Sequence, residues 1–177
     1  LLFISLYYPE LPPSGRWQHF ARTELAGETA RQVHPDGCHF EGSTAYHAFV
    51  FEMLLYADIL ADRADRPMPD TLRAALRRMC AAAVACTKPD GRLPQIGDND
   101  SAGLISLGPR RAPGVAHLLP IAAAHCGDPS LALPAGPFAT EDAFWVLGTE
   151  ANAGAAPESA TIPFPAAGGA AFPDAGW

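Results

Sequence analysis

Proline and glycine divide the first ninety residues into blocks of helix length, and this punctuation limits the chain more than any other feature. Pro9, Pro12-Pro13-Ser14-Gly15, His34-Pro35-Asp36-Gly37, Pro67 and Pro69, and Lys88-Pro89-Asp90-Gly91 each interrupt a stretch rich in alanine and leucine. Proline lacks an amide donor and steers the residue before it out of helical geometry, so each cluster ends one helix before the next begins. The stretches between carry apolar residues three and four apart. A first helix ends near Tyr8. A second spans Arg16 to Arg31, with Trp17, Phe20, Ala21, Leu25 and Thr29 near one face. A third is capped by Ser43 or Thr44 and runs to about Ala64, with Tyr46, Phe49, Val50, Met53, Leu54, Ala57 and Leu60 as its apolar stripe. A fourth, capped by Asp70 or Thr71, reaches Cys86.

From Arg92 to Pro113 the periodicity stops, and a loop this long inside a helical body is more often functional than idle. Short helices are expected at 114–126 and 141–148. Past Asn152 the composition turns to Ala, Gly and Pro, with Thr161 to Phe164 and Gly169 to Phe172 as candidate strands. The expected architecture is mainly α: residues 1–150 form antiparallel helical hairpins, and residues 151–177 lead into an antiparallel β-sheet domain. Periodicity alone leaves an α/α toroid and an ordinary helical bundle both open.

An apolar share of 49% supports a real core. A formal charge of −7 with 12 Lys plus Arg gives no basic face of the kind nucleic-acid binders present. The apolar opening, Leu1 to Tyr8, is too short to span a bilayer and reads as helix interior, so the expected object is an internal piece of a longer protein. Cys38, Cys80, Cys86 and Cys126 show no CxxC spacing. Cys80 and Cys86 fall on different faces of one helix and are not placed to bridge.

The chemistry-bearing stretch is Gln32-Val33-His34-Pro35-Asp36-Gly37-Cys38-His39-Phe40-Glu41-Gly42-Ser43-Thr44-Ala45-Tyr46-His47. One hairpin later come Pro89-Asp90-Gly91 and Pro94-Gln95-Ile96-Gly97-Asp98-Asn99-Asp100. Polar groups gather where loops meet a helix start, a place that can face a cleft while staying rigid. His34, Asp36, Cys38, His39 and His47 superficially suggest zinc, but their spacing matches no standard site, and neither metal nor cofactor is expected. Asp98 and Asp100 can be acid–base carboxylates, calcium ligands, or turn residues bonding nearby backbone; the last, holding a cleft wall, is the expectation. Tyr46 on an apolar stripe is either a core tyrosine or a working phenol. His47 is either structural or a cleft residue. Glu41 either orients Tyr46 or His47 through a hydrogen bond or sits near a helix N-terminus for its dipole. Gln32 is a helix-end polar residue or a sugar contact.

The ordered pattern Q-V-x-x-D-G-x-x-x-E-x-S-x-x-Y-H, then P-D-G, then P-x-I-G-D-x-D, resembles the heparinase II/III and alginate-lyase families over about residues 16 to 108. That resemblance implies an α/α toroid followed by antiparallel β-sheets. It also implies β-elimination beside a uronic acid in an acidic polysaccharide, in a periplasmic or secreted enzyme. Tyr46 falls on the family's general acid, which could also serve as base, with His47, Glu41, Gln32, Asp98 and Asp100 as supporting or substrate-binding residues. The family's Asn-Asn-His motif, which neutralises the uronate carboxylate, and a further His or Tyr from the β domain have no counterpart in this chain. Two rival functions stay open: a non-catalytic carbohydrate-binding or scaffold module, and a toroid glycoside hydrolase using Asp98 or Asp100 with Glu41.

Overall fold

The computed structural model describes residues 1–88, 90–100, 103–105, 114–131 and 139–148. The candidate strands after Asn152, and with them the expected β-sheet start at 151–177, lie outside the described residues. Within them the chain is helical: α1 Leu2–Tyr7, α2 Ser14–Gln32, α3 Thr44–Arg63, α4 Asp70–Cys86, α5 Leu118–Cys126 and α6 Ala139–Leu147, with a single 3₁₀ turn at Pro129–Leu131.

Helix α1 packs on α2 and α3, α4 packs on α2 and α3, and α5 joins α3, α4 and α6. The α1–α2 seam is polar as well as apolar. Gln18 donates to the Ser5 carbonyl at 2.7 Å and accepts from Arg66 at 2.9 Å, while Arg22 reaches the carbonyls of Arg66 and Pro67. The core gathers Phe51 and Leu55 of α3, Leu72, Leu76 and Met79 of α4, and Leu118, Leu119 and Ile121 of α5, all essentially inaccessible to solvent. Each such side chain contributes roughly 1.5–3 kcal/mol on burial.

Four expectations are corrected. The buried residues of α3 are His47, Phe51, Glu52, Leu54 to Ile59 and Ala61, whereas Tyr46, Phe49, Val50, Met53 and Leu60 are half-exposed. This helix is apolar nearly all round, so neighbours packed on several sides choose the buried residues and no single stripe does. Helix α4 opens with Pro69 at the cap position, and neither Asp70 nor Thr71 caps it. Helix α2 begins at Ser14, inside the expected turn cluster, because Pro13 supplies the helical φ that a first turn needs. Helix α5 starts at Leu118, four residues later than expected.

Ser43 caps α3 as anticipated: its hydroxyl accepts the Tyr46 amide at 3.2 Å. Ahead of it, residues 33–39 form a small hairpin. Val33 and His39 make an isolated antiparallel bridge, and the Phe40 amide donates to the Gln32 carbonyl at 2.9 Å. Gly37 closes this hairpin with φ of 91°. A Cβ there would lie 2.1 Å from the Arg78 carbonyl oxygen, so the turn sits directly on the α4 backbone and requires glycine.

Candidate active site

The long loop after α4 is bound to the first turn of α3. The Ser43 hydroxyl, while accepting from Tyr46, donates to the Asp98 carbonyl at 2.7 Å. The Thr44 hydroxyl donates to the Pro94 carbonyl at 2.7 Å and accepts from the Ile96 amide at 3.2 Å, and the Thr44 amide donates to the Ile96 carbonyl at 3.0 Å. The loop's far part is held by the same helix, since buried Glu52 accepts from the amides of Leu104 and Ile105 at 2.9 and 3.3 Å. Backbone amides of a loop without strands find their partners here in one helix.

This stitching brings Tyr46 against Asp100, with the phenol donating to Oδ2 over a long 3.4 Å. Tyr46 is not a core residue: it stands half-exposed on the outer side of the first turn of α3. The negative charge of Asp100, with smaller contributions from Asp98 and Glu41, raises the phenol above its usual range and keeps it protonated. The half-exposed phenol is protonated at neutral pH, as an ordinary tyrosine is, and open to solvent.

The other candidates divide. Asp98 contributes its main-chain carbonyl as an anchor for Ser43, while its side chain adds charge near Tyr46. His47 turns inward: it is buried, donates from Nε2 to the Met79 carbonyl at 3.1 Å, and stacks on Phe51. Burial drives its imidazole down to about 4, so it is neutral at physiological pH and ties α3 to α4. Glu41 forms no hydrogen bond to Tyr46 or His47; its oxygen lies 3.9 Å from Nδ1 of His39 instead. Gln32 bonds His39 through Oε1 at 3.2 Å and Glu28 through Nε2 at 2.8 Å.

A small cleft opens behind this site, between the hairpin, the first turn of α3 and the end of α4; His39, Ser43, His47 and Leu93 are among its lining residues. Cys38 and Cys86 also reach it. Burial raises Cys38 to about 11 and lifts Cys86 as well, so neither thiol is a ready nucleophile. The four cysteines are unbridged.

His34, Asp36, Cys38, His39 and His47 do not converge as ligands. Among the described residues the three side chains whose ligand atoms come within 4.8 Å of one another are Asp58, Asp62 and His125, remote in sequence from that motif. There Arg73 already fills the gap, with Nε on Asp58 at 3.0 Å and its terminal nitrogen on Asp62, while His125 lies 2.8 Å from Asp58. A guanidinium in that place satisfies the carboxylates as a metal would, and the cluster is a part-exposed ion-pair network centred on buried Asp58.

Gly97 shows how tightly the site is closed. Its φ is 69°, and a Cβ would come within 2.9 Å of Ser43 Cβ and 3.0 Å of Ser43 Cα. Gly97→Ala is expected to cost about 1–3 kcal/mol. Gly97→Asn should be no better, although asparagine tolerates positive φ, because the clash with Ser43 remains. Chemical denaturation of the three proteins checks this; a near-neutral Gly97→Asn would show that conformation alone demands the glycine.

Comparison with known proteins follows the same residues. The family described as Heparinase II/III N-terminus matches residues 1–106. A heparin-sulfate lyase of Pedobacter heparinus is 30% identical over 100 residues, covering 55% of this chain and 15% of that protein. The fold is similar to the crystal structure of a mutant of the heparan sulfate lyase HepC, also from Pedobacter heparinus, with a TM-score of 0.57 at 22% identity over 89% of this chain and 22% of that one. The chain thus spans less than a quarter of either relative. With the match running through α1 to α4, Tyr46 and the Pro94–Asp100 loop, the chain belongs to the heparinase II/III N-terminus family.

Proposed function

We propose that this chain supplies the acid side of a polysaccharide lyase that cleaves a uronic-acid-containing polymer by β-elimination. The observation that carries the reading is the Tyr46 phenol, half-exposed at the start of α3 with its hydroxyl facing Asp100 Oδ2. In this mechanism a base removes the C5 proton of the uronate. The C4–O4 bond then breaks, Tyr46 Oη gives its proton to the departing glycosidic oxygen, and a C4=C5 double bond remains in the new non-reducing end. Tyr46 could also take the C5 proton; the three carboxylates keep its phenol in the protonated form that donation requires while making it a weaker acid than a free tyrosine.

Those carboxylates, Asp100, Asp98 and Glu41, repel an anionic substrate. Amide or cationic groups from the rest of the protein must therefore receive the uronate carboxylate, as the family resemblance also implies. Residues 1–150 are in this reading part of an α/α toroid, and 151–177 lead into a β-sheet domain. The exposed apolar side chains Leu1, Ile4, Tyr7, Tyr8 and Phe20 on α1 and α2 suit packing against further toroid helices. The substrate class implies a periplasmic or secreted protein. No described helix is long and apolar enough to cross a membrane.

The test is incubation of the full-length protein carrying this chain with alginate, heparan-type chains and other uronate polymers, following both ultraviolet absorbance of the unsaturated uronate and new reducing ends. Both signals are expected to rise together on one of these polymers. Reducing ends without absorbance would identify a hydrolase working through the Asp98, Asp100 and Glu41 carboxylates. Binding without either signal would leave a carbohydrate-binding module.

A further inference from the structure

The hydrogen-bond chain behind Glu41 fixes where a proton can sit. Glu28, paired with Arg31, accepts only, so the Gln32 atom facing it is the amide nitrogen. The remaining Gln32 oxygen faces His39 and obliges its Nε2 to carry a hydrogen. Neutral His39 therefore presents a lone pair at Nδ1. That atom is buried without a hydrogen-bond partner, in a side chain only 2% exposed, and Glu41 Oε2 stands 3.9 Å away with lone pairs of its own. Two acceptors facing each other at the edge of a buried pocket are unfavourable until one proton enters between them. The Gly42 amide, donating to the His39 carbonyl at 3.1 Å, closes the turn that holds Glu41 at its corner.

We propose that His39 and Glu41 work as one proton-holding pair, with His39 a positioning residue that sets the place and the charge of Glu41 beside Tyr46. Its structural part stands alone; its kinetic part rests on the reading of Tyr46 as the general acid. When the pair takes up a proton, Nδ1–H bonds the Glu41 carboxylate, and one of the three negative charges facing Tyr46 is balanced. Burial holds His39 below the ordinary histidine range against the pull of Glu41, so uptake belongs on the acid side of neutrality. The other groups that bear on His39 are His34 from the hairpin, His47 from α3 and the Gln32 amide from α2. Both neighbouring imidazoles add positive charge only when protonated, and His47 stays neutral down to about 4. Cys38 and Cys86, which share the cleft, stay uncharged thiols in that range.

The test is a double-mutant cycle in the full-length protein. Glu41→Gln places an amide donor opposite Nδ1 and should raise the thermal midpoint by about 2–4 °C. His39→Gln keeps an amide near the Nε2 position for Gln32 but has nothing in place of Nδ1, and in that background the gain from Glu41→Gln should vanish. A Glu41→Gln midpoint that is unchanged or lowered, or a gain of equal size in both backgrounds, overturns the pair. Should His39→Gln fail to fold, imidazole nitrogen NMR of the unaltered protein decides instead: His39 must be the Nε2–H tautomer, and an Nδ1–H tautomer overturns the proposal. With substrate, the acid-side limb of the kcat–pH profile that reports proton uptake by the pair should be absent in both single variants, leaving any limb set by the C5 base. An unmoved limb, with Tyr46→Phe inactive, refutes the pair's influence on Tyr46; an active Tyr46→Phe would refute the acid assignment while leaving the thermal cycle to judge the pair.

Discussion

Tyr46→Phe in the full-length protein is expected to lower kcat on its uronate polymer by about a hundredfold or more, the usual scale for removing a positioned proton donor. The ring and its packing remain, and the deleted hydroxyl makes only a long 3.4 Å contact with Asp100 on an open surface. The thermal midpoint should therefore hardly move. A pH profile adds a sign. Because Asp100 raises the phenol, donor activity should persist to pH values above the ordinary phenol range before it is lost. Asp100→Asn removes the largest cause and should bring that alkaline limb to lower pH. Turnover and midpoint measured on one preparation suffice; a Tyr46→Phe protein with near-native kcat would sink the acid assignment.

The largest expected loss of stability lies elsewhere, at Asp58. Its side chain is 3% exposed and serves two partners, Arg73 at 3.0 Å and His125 at 2.8 Å. Asp58→Ala would leave the guanidinium with Asp62 alone and a half-buried imidazole without its acceptor, at a cost of about 3 kcal/mol or more. Burial alone would push the Asp58 carboxyl up, but His125 and Arg73 outweigh it and hold the group below the usual carboxylate range. The sign of the linkage follows. The folded value is depressed, so the pair's stabilisation is present above the unfolded aspartate value of about 3.9 and is lost as pH falls through the folded value beneath it. Urea unfolding of Asp58→Ala and the unaltered protein at neutral pH and at successively lower pH should show a gap that narrows on acidification. A constant gap would mean that the ion pairs contribute little.

Much of this was readable from residue order, for identifiable reasons. Prolines and the Pro35-Asp36-Gly37 turn act locally, so the helix ends they dictate survive tertiary packing. Ser43 as the cap of α3 was legible for the same reason. The facing direction of α3 was not. Leu54, Leu55, Ala57, Ile59 and Leu60 surround the helix, and neighbours in three dimensions decide which sides close. That is why Tyr46 was placed on the apolar stripe and is found half-exposed. The inward turn of His47 was missed as a certainty because an imidazole next to Tyr46 is polar by type and only Met79, 32 residues on, gives it a partner. The Asp58–Asp62–Arg73–His125 network went unseen, although two acids four apart in an apolar run, with an arginine one hairpin later, were a signal for it. Residue order offers His39 only as a ligand-type side chain; its bond to Gln32 depends on a hairpin closing seven residues back on themselves.

Because α3 holds the near part of the loop through Ser43 and Thr44 and the far part through Glu52, the position of the Pro94–Asp98 strip is tied to the helix that carries Tyr46. On the proposed reading of Tyr46 as a general acid, breathing of the full-length protein would carry its phenol and that strip together. The gap to whatever stands across the cleft would be the single coordinate left to change. Substrate grip could then vary through hinge motion or drift in the opposing wall while the proton donor keeps its calibration, much as one jaw of a vice stays fixed while the other is adjusted.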